Sequence, residues 1–145
     1  MSDIFVSPNT HRRVLLDFES GIAGTDRSDV SYPIREGIVD FLPTIQDPIS
    51  VSYDRLASRY DAYMISQKLR WRLVRRIGWG FARVEDYTER VLSVIPDDFD
   101  GVLLDVPVGT GVLTFEEYAK LKKATIIGLD YSLGMLRHAK KRFEE

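Results

Sequence analysis

At 145 residues the chain has room for about one domain, and its 44% hydrophobic and 29% charged residues are the composition of an ordinary soluble protein. A formal net charge of −2 and a pI of about 5.7 leave no global basic field to attract nucleic acid. The lack of cysteine excludes disulfides, thiolate catalysis and cysteine-ligated zinc.

The opening "MSDIFVSPNT" has no basic region followed by an apolar core, so it does not read as a signal peptide. No apolar run approaches the roughly 20 residues that span a bilayer. A cytoplasmic protein without a membrane partner is therefore expected.

Residues 1–48 form the first segment. "HRRVLLDFES" and "DVSYPI" are short apolar patches, and "GIAGTDRS" between them is rich in turn formers. "PIREGIVDFLP" then predicts a strand, a tight turn at Arg35-Glu36-Gly37 and a second strand, with Gly37 supplying a positive φ. Pro43 and Pro48 end the segment, a small β-rich module.

Residues 50–96 are helical in pattern. Ser50 or Ser52 is the expected cap of a helix through "YDRLASRYDAYM", whose apolar positions Leu56, Tyr60 and Tyr63 fall at i, i+4 and i+7. In "SQKLRWRLVRRIGWG", Leu69, Leu73 and Ile77 share one face and Lys68, Arg72, Arg75 and Arg76 another, with Gly78 and Gly80 ending the helix. That basic face beside Trp71 and Trp79 could contact phosphates and stack bases. A solvated face with core tryptophans outweighs that reading because the whole chain is slightly acidic, and a substrate-facing wall is a third option. A third helix, "RVEDYTERVLSVI", places Val84, Tyr87, Val91 and Ile95 at core spacing and stops at Pro96.

From residue 101 the order becomes strand, helix, strand, helix, which opens a parallel α/β fold. "GVLLDV" is a continuous apolar run of the kind covered on both faces in a parallel sheet. "TFEEYAKLKK" predicts a helix, "ATIIGLD" a second buried strand, and "SLGMLRHAKKRF" a helix capped by Ser132 with Leu136, Ala139 and Phe143 on one face.

Ligands of open parallel sheets sit beyond the carboxyl ends of the strands, where Asp105 and Asp130 fall. Gly109 and Gly111 between them let backbone approach a ligand closely, and the helix start that follows is expected to offer free N–H groups. A carboxylate at Asp130 can accept both hydroxyls of a ribose. The GxxxxGK[ST] phosphate loop is excluded, because no lysine and hydroxyl residue follow the glycines. A dinucleotide fingerprint fits less well, since its third glycine position holds Thr114, although Asp130 follows Gly111 by 19 residues. Asp105 immediately before the turn would repel a pyrophosphate and suits a ligand that carries positive charge.

"LLDVPVGTGVLT" followed by "IIGLDYSLGMLRHAKKR" resembles the class I S-adenosylmethionine-dependent methyltransferases, in particular the subgroup of ubiquinone/menaquinone C-methyltransferases. "YDRLASRYDAYM" is similar to the helix that closes over the cofactor in that subgroup. The resemblance implies an incomplete Rossmann-like α/β core. It places Asp105, Val106, Pro107, Gly109, Thr110 and Gly111 against the methionine part of S-adenosylmethionine. Asp130 then holds the ribose, Tyr131, Ser132 and Met135 line the adenosine pocket, and Tyr60 lies near the transferable methyl. Pro107 stands where the family often has its first glycine.

The implied chemistry is in-line methyl transfer governed by positioning. Its acceptor is a small molecule in preference to RNA; Tyr60 and Asp61 are candidate bases. "SYPIREGIVDFLP" resembles the end of zinc-ribbon-like modules that accompany some methyltransferases, here without the cysteines and so held by packing alone, with His11 left without partner ligands.

A methyltransferase core of this class has further strands, which predicts an unpaired edge and bare apolar faces on "VLLDV" and "TIIGL". The chain is thus expected to be the N-terminal part of a longer enzyme, or else to be completed by dimerisation. The competing expectation is a non-catalytic interaction module that binds a partner protein.

Overall fold

The computed structural model describes residues 4–25, 30–42, 48–65, 74, 77 and 84–144. Trp71, Trp79, all four residues of the basic helix face and Pro43 lie outside the described residues, as do the side chains of Tyr63, Val84 and Tyr87. The chain is mixed α/β and divides into two compact units, Met1–Asp47 and Pro48–Glu145.

The first unit is an antiparallel sheet of β1 (Val14–Asp17), β2 (Ile22–Thr25), β3 (Ser31–Arg35) and β4 (Ile38–Val39), hydrogen-bonded in that order. The β3–β4 turn is the one the sequence predicts: Arg35 pairs with Ile38, and the two loop residues Glu36 and Gly37 have φ of 54° and 75°. Two successive positive φ values match the right-handed twist of a hairpin. "GIAGT" departs from expectation, because residues 22–25 are a strand and not a turn. Its small residues are what that strand needs, since Ala23 is fully buried beside Val14 and Tyr32. Phe5, Leu16, Val30, Ile34, Val39 and Phe41 surround that trio.

Packing alone does not hold this unit together. The fully buried Ser7 hydroxyl is a hub: it shares a 2.7 Å hydrogen bond with the Tyr32 hydroxyl and accepts the N–H groups of Asn9 at 3.3 Å and Thr10 at 3.2 Å. Ser7 N donates to Arg12 O and His11 N to Ser7 O, closing the loop ahead of β1. Ser7→Ala leaves a buried tyrosine hydroxyl and two amides short of a partner. We expect it to destabilise the unit by about 1–3 kcal/mol, read as a lower melting temperature, with Ser7→Thr closer to wild type.

In the second unit α1 (Pro48–Ile65) begins at the proline, with Pro48 in the first turn where its missing N–H costs nothing. Ser52 is therefore not a cap; its hydroxyl donates back to Pro48 O at 2.7 Å inside the first turn. The docking face also differs from the predicted stripe. Ala57 and Met64 are buried, with Asp54 and Asp61 on the same side, whereas Leu56 is 44% exposed. The face is rotated by about 100°, one residue's turn.

The helix α2 (Val84–Leu92) buries Leu92 and leaves Val91 exposed, again one residue from the predicted spacing. Strands β5 (Val102–Asp105) and β6 (Thr125–Gly128) pair in parallel, in register from Val102↔Thr125 to Asp105↔Gly128. Between them the predicted helix shrinks to a single turn, α3 (Phe115–Tyr118), followed by tighter i→i−3 bonds at Lys120 and Leu121. A helix that short has little dipole to offer, so the expected anion-binding helix start is not formed.

The helix α4 (Leu133–Glu144) is capped as predicted: Met135 N donates to Ser132 Oγ at 3.0 Å. Its buried positions are Met135 and Ala139, while Phe143 is 39% exposed, stacks on Tyr118 and meets Phe115 edge to face.

The expectation of a β5 covered on both faces is not met. Val102 and Leu104 are 52% and 60% exposed while Leu103 is partly covered, the period of two expected when one face alone is packed. Among the described residues β5 pairs with β6 alone. No helix of the described residues is long and apolar enough to cross a membrane.

Candidate functional site

The parallel register brings the carboxyl ends of β5 and β6 side by side, so the turn after Asp105 and the bend at Asp130 become one surface. Two backbone bonds sew them together: Leu129 N donates to Asp105 O and Val108 N donates to Leu129 O, both at 2.9 Å. The Val106–Pro107 peptide is cis. Val106 and Pro107 are exposed, whereas Val108, Thr110 and Gly111 are buried. Gly109 and Gly111 have φ of 57° and 69°, the left-handed region that the glycines were expected to supply.

Asp130 fixes the turn. Its Oδ2 accepts the Gly109 N–H and its Oδ1 the Ser132 N–H, each at 2.9 Å. Each carboxylate oxygen has about two acceptor sites, so one on each is left for a ligand while the group's orientation is already set. Asp105 is half-buried and accepts the Tyr118 hydroxyl at 3.1 Å.

Burial pushes the Asp105 carboxyl above its ordinary 3.8, and the negative charge of Asp130 adds to the rise. The Tyr118 and Thr114 hydroxyls oppose it; Thr114 Oγ1 is itself buried without reaching hydrogen-bond geometry to any partner. Burial and the Asp105 charge in turn raise Tyr118 above the ordinary tyrosine value. Two acids thus lie close together past the carboxyl ends of paired strands, and the ionised form of Asp105 is disfavoured there. An acid perturbed by burial beside a second acid makes this surface a candidate functional site.

No protein-family model, curated protein or solved structure matches this chain.

Helix α1 supplies side chains that the sequence placed differently. Asp61, read as a candidate base, accepts the Thr110 hydroxyl at 2.5 Å on Oδ1 and the Arg142 guanidinium on Oδ2. Both oxygens of that carboxylate are thus engaged by partners within the protein. Arg142 also donates from Nε to Thr110 O at 3.2 Å. Two turns earlier, Asp54 Oδ1 accepts the Ser132 hydroxyl at 2.6 Å and the Gly134 N–H at 2.8 Å.

Ser132 and Met135 are almost fully buried, at 1% and 2% exposure, so they shape the floor beneath Asp130. Tyr131 is 44% exposed, and Tyr60 is half-buried on α1 beside Asp61. Asp54, Tyr118 and Arg142 were missed from the sequence. The signal for Asp54 lay in its seven-residue spacing from Asp61 with small Ala57 between them, an acid stripe at helical period.

Proposed function

We propose that the second unit binds S-adenosylmethionine at the ends of β5 and β6, as the cofactor part of a Rossmann-like class I methyltransferase acting on a small-molecule acceptor. The observation that carries this reading is the pair of carboxylates, Asp105 and Asp130, on one surface with a left-handed glycine turn between them. A phosphate ligand would add negative charge to that pair. A ligand bearing an ammonium and a sulfonium relieves it, and its adenosine ribose suits the two acceptor sites left on Asp130.

When bound, the cofactor supplies an electrophilic methyl group. The chain's own part is to bind and orient: Asp105 toward the cationic tail, the Gly109–Gly111 backbone alongside it, and Asp130 beneath the ribose. Titration calorimetry with S-adenosylmethionine tests the reading. Asp130→Ala, which removes both the ribose acceptor and the anchor of the Gly109 amide, is expected to abolish detectable binding while the β5–β6 ladder stays intact.

A second reading, a non-catalytic interaction module, is favoured by one observation, the exposed Val102 and Leu104 on β5. It predicts a folded chain that ignores S-adenosylmethionine and whose mass in solution exceeds that of one chain.

A further inference from the structure

We infer that Asp54 and Asp61 are positioning residues that make α1 a strap across both ligand-facing loops, so that the Asp105–Gly111 turn and the Asp130–Ser132 bend are held or released together. The two acids lie seven residues apart, two turns of one helix face, and Ala57 and Met64 bury the same side. Asp61 grips the glycine turn through Thr110 and reaches α4 through Arg142. Asp54 grips the start of α4 through the Ser132 hydroxyl and the Gly134 amide. All four bonds join α1 to residues between 49 and 81 positions away in the chain.

Two further features show that the fit is built for close approach. A Cβ on Gly134 would stand 2.9 Å from Asp54 Cα, so α1 backbone rests directly on the first turn of α4. Thr110 and Ser132, the two hydroxyl residues gripped, are the most buried polar side chains among the described residues of this unit, at 0% and 1% exposure. Their hydroxyls can bond either an aspartate of α1 or, once α1 lifts, water. The strap therefore closes over hydroxyls that belong to the loops, while Asp105 and Asp130 stay free of it and available to a ligand.

One rigid helix bonded at both ends cannot release one loop without loosening the other, and that coupling is what separates a strap from two unrelated contacts. It acts on the turn proposed above to hold S-adenosylmethionine, and only its ligand arm rests on that reading.

Amide hydrogen exchange on the full chain measures it without any ligand. Asp61→Ala touches no amide directly, yet it is expected to speed exchange at least about tenfold at Gly109 and Gly111, and also at Ser132 and Met135 beyond the far end of the strap. Asp54→Ala is expected to do the same in reverse, reaching Gly109 and Gly111. Thr125 and Leu129 on the β5–β6 ladder should keep their wild-type rates, which separates local release from general unfolding. Asp61→Asn keeps an acceptor for Thr110 and loses the Arg142 pair, so it should fall between wild type and Asp61→Ala.

Acceleration confined to the loop nearest each substitution would overturn the strap, as would equal acceleration at every amide. In the ligand arm, Asp61→Asn should raise the dissociation constant for S-adenosylmethionine by about the factor seen in exchange. Wild-type protein that binds none of it would defeat the proposed function and leave the exchange result to judge the strap alone.

Discussion

Asp105→Asn is expected to stabilise the ligand-free protein and to weaken its binding of S-adenosylmethionine. The stability half follows from the direction of the carboxyl shift. Burial, chiefly, raises the Asp105 pKa above 3.8 in the folded chain, so the folded state holds this proton more tightly than the unfolded one. The resulting stability is fully present below about 3.8 and is lost as pH rises through the raised folded value. At neutral pH the ionised group is a net disadvantage, and its half-exposed setting moderates the size.

Asparagine keeps an oxygen for the Tyr118 hydroxyl and removes both the desolvated charge and its repulsion with Asp130. The melting temperature at pH 7 should rise, and the fall in stability between acid and neutral pH should flatten. The binding half follows from the lost charge: a charge-assisted contact worth about 1.5–3 kcal/mol corresponds to roughly 10- to 150-fold in affinity. Lower stability at pH 7 together with unchanged affinity would remove Asp105 from the site.

The two glycines of the turn separate folding from binding in a second way. Gly109→Ala and Gly111→Ala both force an L-residue into the left-handed region, at roughly 1–2 kcal/mol each. Their surroundings differ. A Cβ on Gly111 would come within 2.8 Å of the Phe143 ring, which already packs on Phe115 and Tyr118, so Gly111→Ala must also move that ring. A Cβ on Gly109 meets nothing within 4 Å.

That open space lies beside Asp130, which the Gly109 amide reaches, on the side proposed for the ligand. Gly111→Ala is therefore expected to be the more destabilising of the two in thermal melts. Gly109→Ala is expected to lose about 10- to 100-fold in affinity for S-adenosylmethionine through overpacking against the ligand. Equal melting temperatures, or intact binding by Gly109→Ala, would contradict this division of roles.

Much of the local structure was legible in the sequence. The Glu36-Gly37 hairpin, the two parallel strands (β5 ending in Asp105, β6 stopping two residues before Asp130) and the Ser132 cap of α4 each rest on one short signal: a turn glycine, an apolar run followed by an acid, or a hydroxyl ahead of a helix. These are properties of a few neighbouring residues, so no distant partner is needed to predict them.

The misreadings share the opposite cause. Leu56, Tyr60 and Tyr63 form a tidy apolar stripe, yet α1 docks through Asp54, Ala57, Asp61 and Met64, because the other side of the interface presents buried hydroxyls and a guanidinium. Periodicity reads what a helix carries and not what it meets. "TFEEYAKLKK" has good helix formers but makes one turn, since its Tyr118 is drawn to Asp105 and Phe143 and the chain must then return to β6. The pattern "VLLDV" reports apolarity on both faces of β5, and the described residues cover one of them.

The central claim is that the strand-end acids select a cationic nucleoside cofactor, and competition between S-adenosylmethionine and ATP on the wild-type chain tests it most directly. Both ligands carry adenosine and differ in the charge of the tail. The account predicts that S-adenosylmethionine binds with calorimetric heat and that ATP neither binds nor displaces it at about millimolar concentration, because its phosphates meet Asp105 and Asp130. Displacement by ATP, or no heat with S-adenosylmethionine from a chain whose β5–β6 amides are protected, would contradict it.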